Sequence, residues 1–528
     1  MTGSAARILF DDGKLRVVFH PATDSLPGGG SRRGTLLTFA DLTFRPDGMR
    51  VWGMAPARKL GLDLIGIVSH APDWYPARSV EAAARAIRPF LDPHTVAYGY
   101  SMGAHAALKH ARRLGVNHAL AISPQYSIDA AVVPEDTRYA GYFNRKLHAG
   151  LRIDADELPP VPVIVADPYH REDGAQARAI MAAGLAHWVP APFMEHWAIH
   201  LLRSSQALGE ALDAVLANDP VALRHLLRRR RQTHVWHRVV AREALRRGHE
   251  ERAARLREGA LRHGCVPSLL RDDQRELVPV MLRRFFEEKR WSRLDDAWPR
   301  YGAALSGAFE PLQEVGHMLT AAGRGAQAEP FFRAALDVRR DVAHVHGGLS
   351  VSLSAQNRPR EAVDAALAGR GWVPGDSALA VLAGEALLEV NEPVLAEPHF
   401  RAALAPEEID SATGPRAVER ARAQAGLGRA LARQGRAEEA TAALRRAVEL
   451  DPAAEAHGLA LVALLRDTGA TAEAMLACQA LLSSHPGSEA ARQLMAALAA
   501  PPPAQPEPPR SATAAQGGGF LARLLGRS

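Results

Sequence analysis

Five alanines, Ala328, Ala362, Ala396, Ala440 and Ala474, recur in the C-terminal half of the chain at spacings of 34, 34, 44 and 34 residues. Each sits in a similar frame: AGRGAQAEPFFRAAL, QNRPREAVDAALAG, VNEPVLAEPHFRAAL, QGRAEEATAALRRAV and TGATAEAMLACQALL. A period of this length constrains the fold more than any other feature. A unit of about 34 residues cannot bury its own apolar face, so it must stack on its neighbours in a linear array. From about residue 205 to about residue 500, Ala, Leu, Arg and Glu recur at helical spacing and strand signals are absent, so the units are helical.

The 34-residue period resembles the tetratricopeptide repeat (TPR), and the 44 is one period plus an insertion of ten within APEEIDSATGPRA. In the fourth unit Leu427, Gly428, Ala440, Leu444, Ala447 and Pro452 fall where that family places its core. Small residues stand where paired helices approach closely, and a proline stops the second helix. The resemblance spans about residues 305 to 490 and implies protein partners on the concave face of the array. Lys289 lies one period before Gly323, and RRGHEERAARLREGAL near 248 resembles a degenerate unit, so the array is expected to begin near 220. Beyond it, PPPAQPEPPRSATAAQ reads as an extended spacer. It ends in GGGFLARLLGRS, where Phe520, Leu521, Leu524 and Leu525 oppose Arg523 and Arg527: a short amphipathic end or a frayed terminus.

The first part of the chain has a different texture. From residue 8 to about 190, short runs rich in Val, Ile and Phe alternate with longer Ala- and Arg-rich amphipathic stretches. That is the pattern of an α/β sheet with flanking helices. Strands are expected near 8, near 15, at 35–40, 62–69, 95–100, 118–123 and 161–166, with a last short one at His187 to Val189; helices are expected at 79–91, 103–114 and 175–184. Crossovers of that length make most of the strands parallel, while the pair near 8 and 15 reads as a hairpin. The expected organisation is a sheet domain over 1–210, a helical region with degenerate repeats over 211–304, repeats over 305–498 and a tail over 499–528.

Composition narrows the partners. Hydrophobic residues make up 47% and charged residues 23%, as in a soluble globular protein. The 64 basic and 58 acidic residues leave a net charge of only +6, without the dense basic face of a dedicated nucleic-acid binder. The basic run RHLLRRRRQTHVWHR at 224–238 is either a patch for an anionic partner or, the commoner case, the solvated side of a helix. Two distant cysteines, Cys265 and Cys478, make neither a disulfide framework nor a thiolate metal site. The start MTGSAARILFDDGKLRVVFHP lacks signal-peptide character, and no window reaches the roughly 18 apolar residues of a membrane span, so a cytoplasmic location is expected.

Gly99-Tyr100-Ser101-Met102-Gly103 fits G-x-S-x-G between an apolar β-branched run and an Ala-rich helix. The motif requires a serine on a strained strand-to-helix turn, with glycines where a Cβ would strike the neighbouring backbone. The helix that follows aims its first amides at the site, so the Met102 N–H is a natural oxyanion donor.

The arrangement resembles the α/β-hydrolase family over residues 8 to 205, and the rest of the machinery is what that resemblance implies. A second oxyanion donor falls at Ala40 or Asp41, after the third strand. The chain order Ser, acid, His puts the acid in VPVIVADPYHREDGAQARA, at Asp173 just before the next helix, with Asp167 the alternative. It puts the base at His196 in PAPFMEHWAIHLL. His200, four residues on, makes an i, i+4 pair with it, but no HExxH glutamate lies between and no metal is expected. Trp74, Tyr75 and Tyr100 sit at the carboxyl ends of strands and either line an acyl pocket or pack in the core. Residues 124–160 form the insertion that serves as a lid in many such enzymes. After SMG the chain departs from the usual small residues: Ala104 is followed by His105.

These features give an esterase or thioesterase acting on an acyl ester or thioester without a cofactor, carried on a protein-binding array. An acyltransferase would use the same parts. A scaffold with a relic hydrolase domain is the reading from a different class.

Overall fold

The computed structural model describes residues 5–22, 34–184, 186–405 and 415–499. The expected tail from 500 onward and residues 406–414 of the repeat insertion lie outside them. The chain divides into two compact units, Met1–Leu305 and Ser306–Ser528.

The first unit is built on eight strands: β1 (Arg7–Asp11), β2 (Leu15–His20), β3 (Thr35–Phe39), β4 (Asp63–Ser69), β5 (Val96–Tyr100), β6 (His118–Ile122), β7 (Val161–Ala166) and β8 (His187–Pro190). They lie side by side in the order β1-β2-β4-β3-β5-β6-β7-β8. β1 and β2 form the expected hairpin, β2 runs antiparallel to β4, and every other pairing is parallel. The parallel core follows from the crossovers between its strands: α1 (Met54–Leu60), α2 (Ala77–Ile87), α3 (Met102–Leu114), a long irregular segment between β6 and β7, and α4 (Arg171–Ala183).

Every residue of β3 and β4 is buried, which is why these runs are almost continuously apolar: the sheet is covered on both faces. Alternation then sorts the side chains. Leu37 and Phe39 point into a core shared with α2, α3 and the segment before β7, where Ile128 and Ile153 sit. Leu36 points into the opposite core, formed with α1, α5 (Ser205–Leu216) and α6 (Pro220–Leu226) through Leu208, Leu212 and Leu226. Residues 211–304 therefore group with the sheet. After α6 come α7 (His234–Arg246), α8 (Glu250–Arg262), α9 (Pro267–Glu287), α10 (Trp291–Asp295) and α11 (Ala297–Leu305).

Three local features differ from the sequence reading. α1 is a seven-residue helix too short to leave a periodic signal. α4 begins four residues earlier than 175, because His170 caps it, its Nδ1 accepting from the Asp173 N–H. The basic run 224–238 is not one helix face: it crosses the end of α6, a 3₁₀ turn (Leu227–Gln232) and the start of α7, with Leu226, Leu227 and Val235 buried beneath it.

The second unit is a series of antiparallel helix pairs: Phe309–Ala321 with Gly325–Val338, Ala343–Ser354 with Pro359–Trp372, Ser377–Glu389 with Pro393–Leu404, Pro415–Arg433 with Ala437–Leu450, and Glu455–Asp467 with Thr471–Ser484, closed by Glu489–Ala499. The five aligned alanines are all fully buried at the start of the second helix of a pair. Each first helix ends in the same cap. Gly323, Asn357, Asn391, Gly435 and Gly469 have φ between 58° and 80°, and the amide one residue on donates back to a leucine carbonyl: Arg324 to Leu319, Arg358 to Leu353, Glu392 to Leu387, Arg436 to Leu431, Ala470 to Leu465. This is a Schellman closure, which needs a left-handed residue and so favours Gly or Asn. Lys289, one period upstream, has φ 55° and is followed by the same bond, from Arg290 to Phe285, so the repeat's local geometry extends into the first unit. Among the described residues no helix is long and apolar enough to cross a membrane.

The cap makes a stability prediction. Gly435→Val forces a β-branched residue to φ 80° and is expected to cost about 1–2 kcal/mol. Asn391→Gly, at φ 59°, relieves the Cβ penalty and is expected to leave the melting temperature unchanged or slightly higher. Thermal melts of the full chain followed by circular dichroism check both; a Gly435→Val protein as stable as the parent would refute the role given to the turn.

Candidate active site

Ser101 stands between β5 and α3 with φ 53° and ψ −121°, outside the regions a side-chain-bearing residue prefers. The two glycines show why the turn can be so tight. A Cβ at Gly99 would lie 2.1 Å from the Gly103 carbonyl oxygen, and a Cβ at Gly103 would lie 2.1 Å from that of Phe39. These are backbone contacts that cannot swing aside, so glycine is the only residue either position admits. The α3 helix thereby starts directly against the end of β3. Its first intrahelical bonds run from Ala104 and His105 to the Ser101 carbonyl, leaving the Met102 amide ahead of the hydrogen-bond ladder.

Three of the expected residues come together. Ser101 Oγ lies 3.0 Å from His196 Nε2, and His196 Nδ1 lies 3.0 and 2.9 Å from the two oxygens of Asp173. A carboxylate only accepts, so Nδ1 carries the proton and Nε2 presents its lone pair to the serine hydroxyl. Asp173 is 1% exposed. Burial alone would raise its pKa, but the imidazoles of His170 and His196 beside it and the nearby Arg138 hold its carboxyl well below the usual range. It therefore remains ionised, able to stabilise an imidazolium beside it. Contrary to expectation, Asp173 belongs to the first turn of α4, not to the loop before it, and the helix N-terminus favours the negative charge there.

Asp167, the other acid considered, faces away from the imidazole. Its Oδ2 accepts from the Met194 and Glu195 amides, each at 2.8 Å, and its Oδ1 from the Tyr169 amide at 2.9 Å. Burial pushes this carboxyl up against the pull of those three donors. Its work is local: Phe193 and Glu195 both take positive φ, at 65° and 49°, and Asp167 ties down the strained turn that aims His196.

The structure corrects the remaining expectations. The Ala40 amide is not available as an oxyanion donor, because it donates to the Ile67 carbonyl at 3.1 Å and so extends the β3–β4 ladder by one residue. Tyr75 is a core residue, not a pocket wall: it is 1% exposed, its hydroxyl donates to the Ala40 carbonyl at 2.7 Å, and its ring meets Phe39 edge-on. Trp74 is likewise fully buried and donates through Nε1 to Gln125 Oε1 at 3.2 Å. Tyr100 stays at the site, its ring centroid 5.3 Å from that of His196. His105 lies behind the serine, its Nδ1 2.8 Å from the Gln125 carbonyl, and burial drives its pKa down to about 3, so it is neutral. His200 packs edge-on against His234 at 4.9 Å, and burial lowers its pKa to about 4. Among the described residues no group of three or more His, Cys, Asp or Glu gathers as a metal site would require.

Four further residues reach the site, and the sequence reading missed them all. Gln125 donates from Nε2 to Ser101 Oγ at 3.4 Å. Arg138 reaches Asp173 Oδ1 at 2.7 Å while making a two-pronged bond to Asp136. Tyr139 brings its hydroxyl to 3.4 Å from Ser101 Oγ and 3.3 Å from His196 Nε2. His170 lies 3.4 Å from Asp173 Oδ1; burial opposes its charge, but that carboxylate outweighs it and holds the ring above its ordinary pKa. The first three come from the irregular segment between β6 and β7, where no periodicity signals which side chains point inward; His170 caps α4 but is not one of the Ser, Thr, Asp or Asn residues that mark a helix start in sequence.

No protein-family model and no curated protein matches the chain. Solved structures are similar to part of it. They include YrrB, described as a TPR protein with an unusual peptide-binding site, at 18% identity and a TM-score of 0.29 over 35% of this chain and 91% of that one. They also include PilW, a type IV pilus biogenesis factor, at 16% identity and 0.33 over 41% and 98%. Pseudomonas aeruginosa PilF is similar at 16% identity and 0.31 over 36% and 88%. Each likeness covers well under half of this chain.

Proposed function

We propose that the first unit is a serine hydrolase of esterase or thioesterase type and that the helical array binds a protein partner. The observation that carries the enzymatic reading is the unbroken line from Ser101 Oγ to His196 to the buried Asp173, each contact at 3.0 Å or less.

In this reading Ser101 Oγ attacks the acyl carbonyl carbon and passes its proton to His196 Nε2. The oxyanion that forms is held by the Met102 amide, with the Asp41 amide, expected as the alternative to Ala40, as the second donor. Collapse breaks the bond to the alcohol or thiol, which leaves with the proton from Nε2. Water then enters, gives a proton to Nε2 and forms a bond to the acyl carbon; as the bond to Ser101 Oγ breaks, that proton passes from Nε2 to Oγ and the acid is released. A different acceptor in place of water would make the same cycle an acyl transfer. No step calls for a cofactor.

Two experiments test this. A fluorophosphonate probe is expected to label the full-length protein at Ser101 and to leave Ser101→Ala unlabelled, with activated esters and thioesters hydrolysed only by the former; equal labelling of the two would refute the nucleophile. The acid is tested by a pair of asparagines. Asp173→Asn is expected to lower kcat/KM by roughly 10³–10⁴, because the amide favours the wrong imidazole tautomer. Asp167→Asn is expected to keep labelling but to lower stability by about 1–3 kcal/mol, since the amide nitrogen would face a backbone donor. The reverse ranking in the two assays would exchange the roles.

A further inference from the structure

The Tyr139 hydroxyl stands in a demanding place. It is within 3.4 Å of Ser101 Oγ and 3.3 Å of His196 Nε2, which are themselves 3.0 Å apart, so the three atoms form a nearly equilateral triangle. In an acyl-enzyme cycle the third corner of that triangle has a fixed chemical meaning. The leaving heteroatom must take its proton from Nε2 close to the acyl carbon on Oγ, and the incoming water must give a proton to Nε2 from the same side. Both need the spot that the phenol oxygen fills. The phenol also competes for the single lone pair of Nε2, because Nδ1 holds the ring's proton for Asp173.

The side chain is held there. Trp74 meets its ring edge-on at 5.4 Å, and the guanidinium of its neighbour Arg138 lies 5.2 Å over the ring. Arg138 is fixed in turn by Asp136 and Asp173. Two adjacent residues of one irregular segment thus engage opposite ends of the Ser101–His196–Asp173 line.

We propose that Tyr139 is a gate residue that occupies the second-nucleophile position, and that displacement of the Arg138–Tyr139 pair admits the leaving group and the water or alternative acceptor. It sets specificity at the second substrate, since only an acceptor able to displace or replace the phenol reaches the base. This rests on Ser101 being the nucleophile, as proposed above.

The test measures the rate of fluorophosphonate labelling at Ser101 in the full chain, with Ser101→Ala as the blank and circular dichroism as the check on folding. Tyr139→Ala empties the corner and is expected to accelerate labelling about fivefold or more. Tyr139→Phe removes the competing hydroxyl but keeps the ring, and is expected to give a smaller increase. Tyr139→Val provides a second small variant should the alanine protein fail to fold. Folded Ala and Val variants no faster than the parent, or a Phe variant slower than it, would overturn the gate, the latter by showing that the hydroxyl assists. Absence of labelling in every protein, the opened variants included, would instead refute the nucleophile itself, so the two failures are distinct.

Discussion

In the first unit a helix comes close against a strand end through two missing side chains. Without Cβ atoms at Gly99 and Gly103, α3 can leave β5 immediately after Ser101 and rest against the carbonyls of Phe39 and Ala40. That contact fixes the serine in a strained conformation, directs the first amides of α3 outward, and brings the end of β3 beside them. A strand-to-helix junction with ordinary residues would have to open by more than an ångström, and the hydroxyl would lose its alignment with an imidazole delivered from a different part of the chain. The remaining features of the site are ways of bringing other groups to a point that this junction has already set.

Two buried carboxylates divide that task. Both lie close after β7, both are desolvated, and both are compensated, but by different partners. Asp167 is satisfied by three backbone amides and spends its charge on the turn that carries His196. Asp173 is satisfied by side chains that are, or can become, positive, and so its charge remains available to the imidazole. The difference shows in the direction of each shift: burial prevails at Asp167, hydrogen bonding and nearby positive charge at Asp173. The proposed mechanism, which needs one fixed anion beside a base and one rigid loop beneath it, is served by assigning the two to neighbouring residues with unlike surroundings.

How much of this could be read from the sequence depended on whether a residue's identity is dictated by backbone geometry. The elbow was legible because only glycine survives a 2.1 Å approach. The repeats were legible because a left-handed cap and a buried alanine recur at fixed offsets. Ala40 was misjudged because hydrogen bonding of its amide depends on how far the β3–β4 ladder runs, which no local pattern records. Trp74 and Tyr75 were open between pocket and core because nothing in the order of residues after the fourth strand marks the positive φ values, 53° and 58°, that the chain takes there. Arg138 and Tyr139 were invisible for a plainer reason: they lie in a stretch without strand or helix period, where burial has no signature in the order of residues.

That stretch is nevertheless bound to the site by α4, the helix that also carries the acid. Three residues after Asp173, Gln176 accepts from the Tyr126 and Ser127 amides and donates to the Ser127 carbonyl and to Asp136. One turn of helix therefore holds the insertion at residues 126–127 and at Asp136, and the residues just past the second anchor return Arg138 to Asp173 and Tyr139 to Ser101. The bonds form a closed circuit: helix to insertion, insertion to acid and serine, acid back to helix. In such a circuit the insertion cannot shift without changing the surroundings of Asp173, so in the proposed hydrolase a ligand that displaces Tyr139 from Ser101 also alters the setting of the carboxylate.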